Sequence, residues 1–240
     1  QFLVQEGNEL YARAEEAKYE AHLGFRDVPY IFDENYDANI NWYSESVMNG
    51  AFDGRWEGYK DADGNLVYNF GPSDQTLRAE ALKMVLAAFC YEPSGSGDQW
   101  WVGWANTGRQ LGASLADKDL AQPVTRGEVM RLIFEVGKFD APSQFNGYFP
   151  DVGTGDDWIA AEVMFEAGIV KGDGGTGNAR LYDMLNRAES AAVINRAVEW
   201  GEGNTFADEE LLSRLKSKSG EGENFFALLG QMLRTLLPVW

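Results

Sequence analysis

A mainly helical chain assembled from an internal repeat is what this sequence predicts, and three observations carry that expectation. An arginine, a small residue and a glutamate recur in that order at Arg78-Ala79-Glu80, Arg126-Gly127-Glu128 and Arg187-Ala188-Glu189. Each triplet opens an apolar run of helical period. Leu82, Met130 and Ala191 stand four residues after the arginines, and Val85, Ile133 and Ile194 seven after. Offsets of four and seven share one helix face, so each run buries a matching stripe. Ahead of each triplet lie a shorter helical segment and a glycine-bearing loop. The uneven spacing of the three arginines means loop variation around a constant unit.

The chain has 240 residues and a net charge of −18. With 45% hydrophobic residues it can bury a core, as a disordered acidic chain could not. The charge argues against binding nucleic acid or an anionic membrane, because no block of Lys and Arg offsets it. No stretch reaches the ~18 uninterrupted apolar residues of a membrane span. The chain begins at Gln1 rather than Met, which reads as a processed or trimmed chain and leaves secretion open. Cys90 is the one cysteine, so no internal disulfide forms, and its apolar neighbours Val85, Leu86 and Phe89 read as a helical run that buries it.

Taken in order, residues 1–24 read as an N-terminal amphipathic helix, with Leu3, Leu10, Ala14, Ala17 and Ala21 on one face. The one histidine, His22, sits in its last turn, where a helix C-terminus favours the cation, so a structural role is expected. The first unit, 25–92, opens at Phe32-Asp33. It has a short helix around Trp42, Val47 and Met48, ended by Gly50 to Gly54. An insertion follows. Trp56-Glu57-Gly58-Tyr59-Lys60 and Leu66-Val67-Tyr68 flank Asp61-Ala62-Asp63-Gly64-Asn65, the pattern of a β-hairpin with a glycine turn. Asp61, Asp63 and Asn65 also match the opening of a calcium loop. Pro72 stands where the closing Glu would fall, so a bare turn is expected, with calcium as the alternative.

The second unit, 93–140, follows the linker Pro93 to Gly97. It carries Trp100, Trp101 and Trp104, then a helix through Leu111 ended by Gly112. The third, 141–202, opens at Phe149-Pro150-Asp151-Val152 and starts a helix at Asp157-Trp158. Gly168 to Gly172 ends that helix. Gly201 to Asn204 reads as a break. Residues 203–240 form a C-terminal helical extension whose last helix, 224–237, is strongly apolar yet too short to span a bilayer.

Thr125 with Glu128, and Asn186 with Glu189, are capping boxes, each contributing roughly 1 kcal/mol. The first unit has Leu77 in the capping position, so its box is broken. Each box leaves an arginine in the first turn, near the positive end of the helix dipole. That placement needs an anionic or hydrogen-bonding partner, either a ligand acid or an acidic residue of a neighbouring unit.

The succession of aromatic-Asp, Trp at a helix start, Gly-x-x-x-Gly, loop, and Thr-Arg-Ala-Glu resembles the S-layer homology domain. Three tandem copies resemble that family's usual module. The likeness covers residues of about 25–200 and is closest in the third unit: Phe149-Pro150-Asp151-Val152, Asp157-Trp158, Gly168-Ile169-Val170-Lys171-Gly172 and Asn186-Arg187-Ala188-Glu189. The chain departs from the pattern at Leu77, in the hairpin insertion, at Ala116 and Gly127, and at Leu181-Tyr182-Asp183. The resemblance implies three helix-loop-helix units in a pseudo-threefold bundle. It also implies an extracellular, cell-surface protein that anchors without covalent bonds to an acidic cell-wall polysaccharide, often pyruvylated. By the same likeness Arg78, Arg126 and Arg187 face the acid group. Trp42, Trp104 (or Trp101) and Trp158 are groove or core residues, and Gly54 and Gly172 admit a sugar close to the backbone.

A second expectation is a self-assembling subunit of a surface layer or filament, a homo-oligomer or polymer joined through its terminal helices. An enzyme is not expected. Asp156 and Asp157 ahead of a helix read as charge that complements its dipole, and no metal-ligand cluster or catalytic set accompanies them.

Overall fold

A computed structural model describes residues 25–31, 35–155 and 157–203. The N-terminal helix with His22, the Phe32-Asp33 opening, Asp156 and the C-terminal helices all lie outside the described residues. Within them the chain is mainly helical: α1 Ser44–Phe52, α2 Arg78–Ala88, α3 Val102–Leu111, α4 Arg126–Val136, α5 Trp158–Glu166 and α6 Arg187–Gly203, with a 3-10 turn at Ser114–Asp117. Each triplet arginine is the first residue of a helix. α6 runs through Gly201 to Gly203, so the expected break at Gly201 is helical instead.

The helices that open on the triplets, α2, α4 and α6, touch one another at the centre. Their inward faces carry Leu82, Val85 and Leu86, then Val129, Met130, Leu132 and Ile133, then Ala191, Ile194 and Val198, all buried. Full burial of each larger side chain contributes about 1.5–3 kcal/mol. Each first helix packs mainly against the second helix of another unit: α3 on α2, α5 on α4, and α1 on α6. The last of these pairs joins the early and late parts of the chain.

The segments leading into α2, α4 and α6 bind one another in a closed ring. Thr76 N donates to Leu185 O (3.0 Å), Val124 N to Thr76 O (2.9 Å), and Leu185 N to Val124 O (3.2 Å). The triplets repeat the cycle. Arg78 N donates to Gln122 O, Arg126 N to Asp183 O and Arg187 N to Asp74 O. Ala79 N then binds Leu120 O, Gly127 N binds Leu181 O, and Ala188 N binds Pro72 O. These N–H groups are the ones a helix start leaves without an internal partner, so the ring satisfies the termini of three helices at once. Gly127 replaces the alanine of the other two triplets for a steric reason: an added Cβ would stand 3.0 Å from Leu181 O and 3.1 Å from Leu181 Cβ.

A carboxylate clasp ties two of the loops into this ring. Asp151 accepts from Ala179 N (2.7 Å) and Arg180 N (2.8 Å). Asp27 accepts from Phe70 N (2.8 Å) and Gly71 N (2.7 Å). Phe70-Gly71 stands in the same register to Arg78 as Ala179-Arg180 does to Arg187. The counterpart of Phe149-Pro150-Asp151-Val152 is therefore Phe25-Arg26-Asp27-Val28, upstream of the Phe32-Asp33 expected from the sequence. In both segments the Phe and Val are buried.

The insertion folds back through Tyr59 N to Asn69 O (2.8 Å), Val67 N to Tyr59 O (3.1 Å) and Asp61 N to Asn65 O (2.9 Å). Lys60 and Leu66 form an isolated antiparallel bridge, and no strand extends from it. Gly50 lets this insertion dock, because a Cβ there would fall 1.8 Å from the buried Trp56 ring, whose indole N–H donates to Val47 O (2.9 Å). Cys90 differs from its expected place. α2 ends at Ala88, and Cys90 lies beyond it with φ 61°, half-buried rather than helical.

Candidate functional site

The three arginines share one backbone position and differ in their side chains. Arg187 is 5% exposed. Its Nη1 donates to Glu80 Oε1 (2.6 Å) and its Nε to Phe70 O (2.6 Å). The guanidinium lies over two rings, 4.6 Å from the Tyr59 centroid and 4.8 Å from that of Phe70. Each contact sets the cation against the negative face of an aromatic ring. Glu80 is held from its other side by Leu77 N (2.8 Å), the surviving half of the broken capping box. Burial pushes the Tyr59 phenol up to about 12, partly offset by Arg187 and reinforced by Asp74. Tyr59 therefore stays protonated and donates to Asp74 Oδ2 (2.9 Å).

Arg78 makes the equivalent bond to the next unit. Its Nε and Nη2 reach Glu128 at 3.0 and 2.8 Å, and its Nη1 reaches Asp119 O (3.3 Å). Lys118 Nζ also binds Glu128 (2.9 Å), as does Thr125 N (3.0 Å). Burial raises the Glu128 carboxyl, but Arg78, Thr125 N–H and Lys118 together outweigh it and hold the group below its ordinary value. Glu128 Oε2 and Thr125 Oγ1 complete a capping box, as Glu189 and Asn186 do at α6.

By this pattern Arg126 should meet Glu189. The charge of Glu189 acts on it, yet among the described residues no ion pair joins the two, and Arg126 Nε is buried without a hydrogen-bond partner. Burial pulls the Arg126 guanidinium below its ordinary value. Arg180 and Arg196 add like charge around it.

Of the three arginines, Arg187 lines a cleft of about 460 Å³. The insertion supplies one wall through Arg55, Trp56, Tyr59 and Lys60, α2 supplies Glu80, Lys83 and Met84, and Trp100 stands at the start of the next unit. Four cationic side chains and two carboxylates face this space. Glu80 is bound to Arg187, and Glu57 to Lys60 (2.9 Å). Arg55 is held by Asn195 (2.6 Å) and Asp53. Lys83 forms no ion pair or hydrogen bond with another described side chain. Trp100 is 53% exposed and edge-on to Trp101. A second groove of about 300 Å³ is lined by Lys118, Thr125, Gly127, Glu128, Asp157 and Tyr182, among others, and its charges are paired.

The remaining expected residues lie outside the larger cleft. Trp158 packs edge-on against Phe145, and Trp104 is half-buried on the core. Trp42 is 49% exposed, beside Tyr43. Gly54 has φ 69° with open space around it, while Gly172 is closed off by its own loop, where a Cβ would fall 2.5 Å from Gly177 O. Asp61 spends its oxygens on Asp63 N and Asn65 N (2.9 Å each) and on the Asn65 amide (3.2 Å). Those bonds hold its carboxyl below the ordinary value. Asp157 pairs with Arg131 of α4. Among the described residues no cluster of three or more His, Cys, Asp or Glu could hold a metal, and no helix is long and apolar enough to cross a membrane. Sequence reasoning missed Lys83, and it placed Trp56 and Tyr59 only in a hairpin. The available signal was the pair of basic–aromatic neighbours Arg55-Trp56 and Tyr59-Lys60.

No protein-family model matches the chain, and no curated protein matches it.

Proposed function

We propose that this chain is a non-enzymatic, extracellular cell-surface module of three S-layer-homology-like units in a pseudo-threefold bundle, and that it anchors to an acidic, pyruvylated cell-wall polysaccharide. One observation carries the reading. In a chain of net charge −18, the larger cleft sets four cations, Arg55, Lys60, Lys83 and Arg187, against the two carboxylates Glu57 and Glu80, beside Tyr59 and the exposed Trp100. A carboxylated sugar needs local positive charge to overcome the long-range repulsion of an acidic protein, together with an aromatic face for its apolar side. The ring of backbone bonds among the three triplet segments supports the arrangement of units. The test is co-sedimentation with purified pyruvylated wall polysaccharide. Binding that weakens as salt rises is expected, and a chain that stays in the supernatant at low salt would sink the proposal.

A second reading, a self-assembling subunit of a surface layer or filament, is favoured by a separate observation. Tyr182 and Met184, beside the ring, are 73% and 49% exposed, and Ile40 is 71% exposed. Large exposed hydrophobic side chains suit contact with another copy. Sedimentation velocity and electron microscopy of the purified chain test it. A monomer at high concentration with no ordered polymer would remove it.

A further inference from the structure

The larger cleft separates two tasks that one cationic residue could have combined. Arg187 lies over the rings of Tyr59 and Phe70, is bound at Nε and Nη1, and is 5% exposed. Its charge is already met by Glu80. An acid group entering the cleft would compete with a short, buried ion pair for a cation whose directions are largely taken. Lys60 and Arg55 are also paired, with Glu57 and with Asp53. Lys83 lines the same space from α2, one helical turn beyond Glu80, and no described carboxylate holds it. An ammonium on a flexible stem can follow an anion without giving up an existing bond. Trp100, in the lining of the same cleft, offers an exposed ring.

We propose that Lys83 is the specificity-determining residue of this cleft: it reads the carboxylate of a bound acidic sugar, Trp100 stacks on the sugar, and Arg187 is a positioning residue that holds the Tyr59 wall. The proposal rests on the anchoring reading above and names which side chain gives it charge selectivity. It moves that role away from the Arg-small-Glu triplet and onto a lysine outside it.

The experiment compares two probes: a purified pyruvylated wall polysaccharide, and the same polymer after mild acid has removed its pyruvate. The full chain should bind the pyruvylated polymer about tenfold more tightly, the effect of one good charge-assisted contact. Lys83→Ala should bring the two affinities to within about twofold, with the larger loss falling on the pyruvylated polymer. Lys83→Arg should keep the discrimination, because the charge stays. Trp100→Ala should weaken both probes by a similar factor, leaving their ratio intact. Lys83 is half-buried at a helix surface, so thermal unfolding of the variant should match the parent, and Lys83→Gln provides a second neutral substitution if alanine disturbs α2. Discrimination that survives in Lys83→Ala and Lys83→Gln overturns this assignment while the anchoring reading stands. Failure of the unmodified chain to bind either polymer overturns both.

Discussion

The junction where Arg187 meets the first unit and the junction where Arg126 meets the third are built on the same backbone, yet their side chains end in opposite states. In each, the arginine N–H joins the ring and the following residue donates to a carbonyl two positions further back. Arg187 then finds Glu80, Phe70 O and two rings. Among the described residues Arg126 finds no ion pair, and its Nε stays buried without a bond. The difference traces to three local replacements. Phe70, which lies against Arg187, corresponds in register to Ala179, which has no ring. Gly71, at φ 70°, corresponds to Arg180, at φ 57°, whose own cation repels Arg126. Tyr59 belongs to the insertion, which the third unit lacks. A repeated motif therefore secures the helix start, while the loop that docks beside it decides whether the arginine is satisfied.

Removing Arg187 should have the largest effect at either junction. In Arg187→Ala the Glu80 carboxylate, whose side chain is 18% exposed, and the Phe70 carbonyl both lose a charged donor, and Tyr59 loses the cation beneath it. Breaking a buried pair from one side costs about 3–5 kcal/mol. Urea unfolding should register that loss, with the slope of the transition unchanged. A cost under about 1 kcal/mol would show that the Arg187 contacts add little to the fold and that the two junctions are energetically alike.

Much of the architecture was legible because it is local. The starts of α2, α4 and α6 fall on Arg78, Arg126 and Arg187, where capping chemistry places them. The left-handed Gly112 ends α3, and the two complete capping boxes form at Thr125 and Asn186. Partners that depend on ring closure were not legible. Nothing near Arg187 in the chain identifies Glu80, and nothing near Arg126 reveals that the like charge of Arg180 will act on it. The Asp27 clasp was overlooked for a related reason. Phe25-Arg26-Asp27-Val28 repeats Phe149-Pro150-Asp151-Val152 at three of four positions, but Phe32-Asp33 competes locally, and the carboxylate's distant partners Phe70 and Gly71 decide between them. The cleft was hidden as well, since its lining comes from the insertion, from α2, from the approach to α3 and from the start of α6.

A double-mutant cycle on each arginine–glutamate pair should separate the two junctions by a smaller effect. Coupling between Arg187 and Glu80 should reach about 2–3 kcal/mol, whereas coupling between Arg126 and Glu189 should stay below ~0.5 kcal/mol. Repeating the second cycle in an Arg180→Gly background should raise it to about 1 kcal/mol, because the substitution removes the competing cation and restores the residue that Gly71 supplies at the other junction. The Arg180–Asp183 pair lost in that background is about half exposed on both sides and contributes little. Coupling that stays unchanged after Arg180→Gly would mean that Arg180 is not what separates Arg126 from Glu189.

The smallest effect concerns the caps, where the two sides of the comparison exchange rank. The well-bonded Arg187 docks on α2, whose cap is incomplete: Leu77 has the extended geometry of a capping residue, φ −77° and ψ 155°, but no side-chain acceptor. Thr125 has nearly the same backbone, φ −91° and ψ 161°, and its hydroxyl accepts from Glu128 N (3.3 Å). Leu77→Thr should therefore complete the box around Glu80. A cap contributes about 1 kcal/mol, while Leu77 is only half-buried and surrenders part of its apolar contact, so a net gain of ~0.5 kcal/mol is expected. Thr125→Ala should lose about 1 kcal/mol in the same unfolding assay. Because Glu80 also receives Arg187, a completed box should hold that carboxylate more firmly and raise the Arg187–Glu80 coupling as well. If Leu77→Thr instead destabilised the chain by as much as Thr125→Ala, the apolar contact of Leu77 would outweigh the missing cap. The first unit would then have exchanged a hydrogen bond for packing at the point where the third unit grips it.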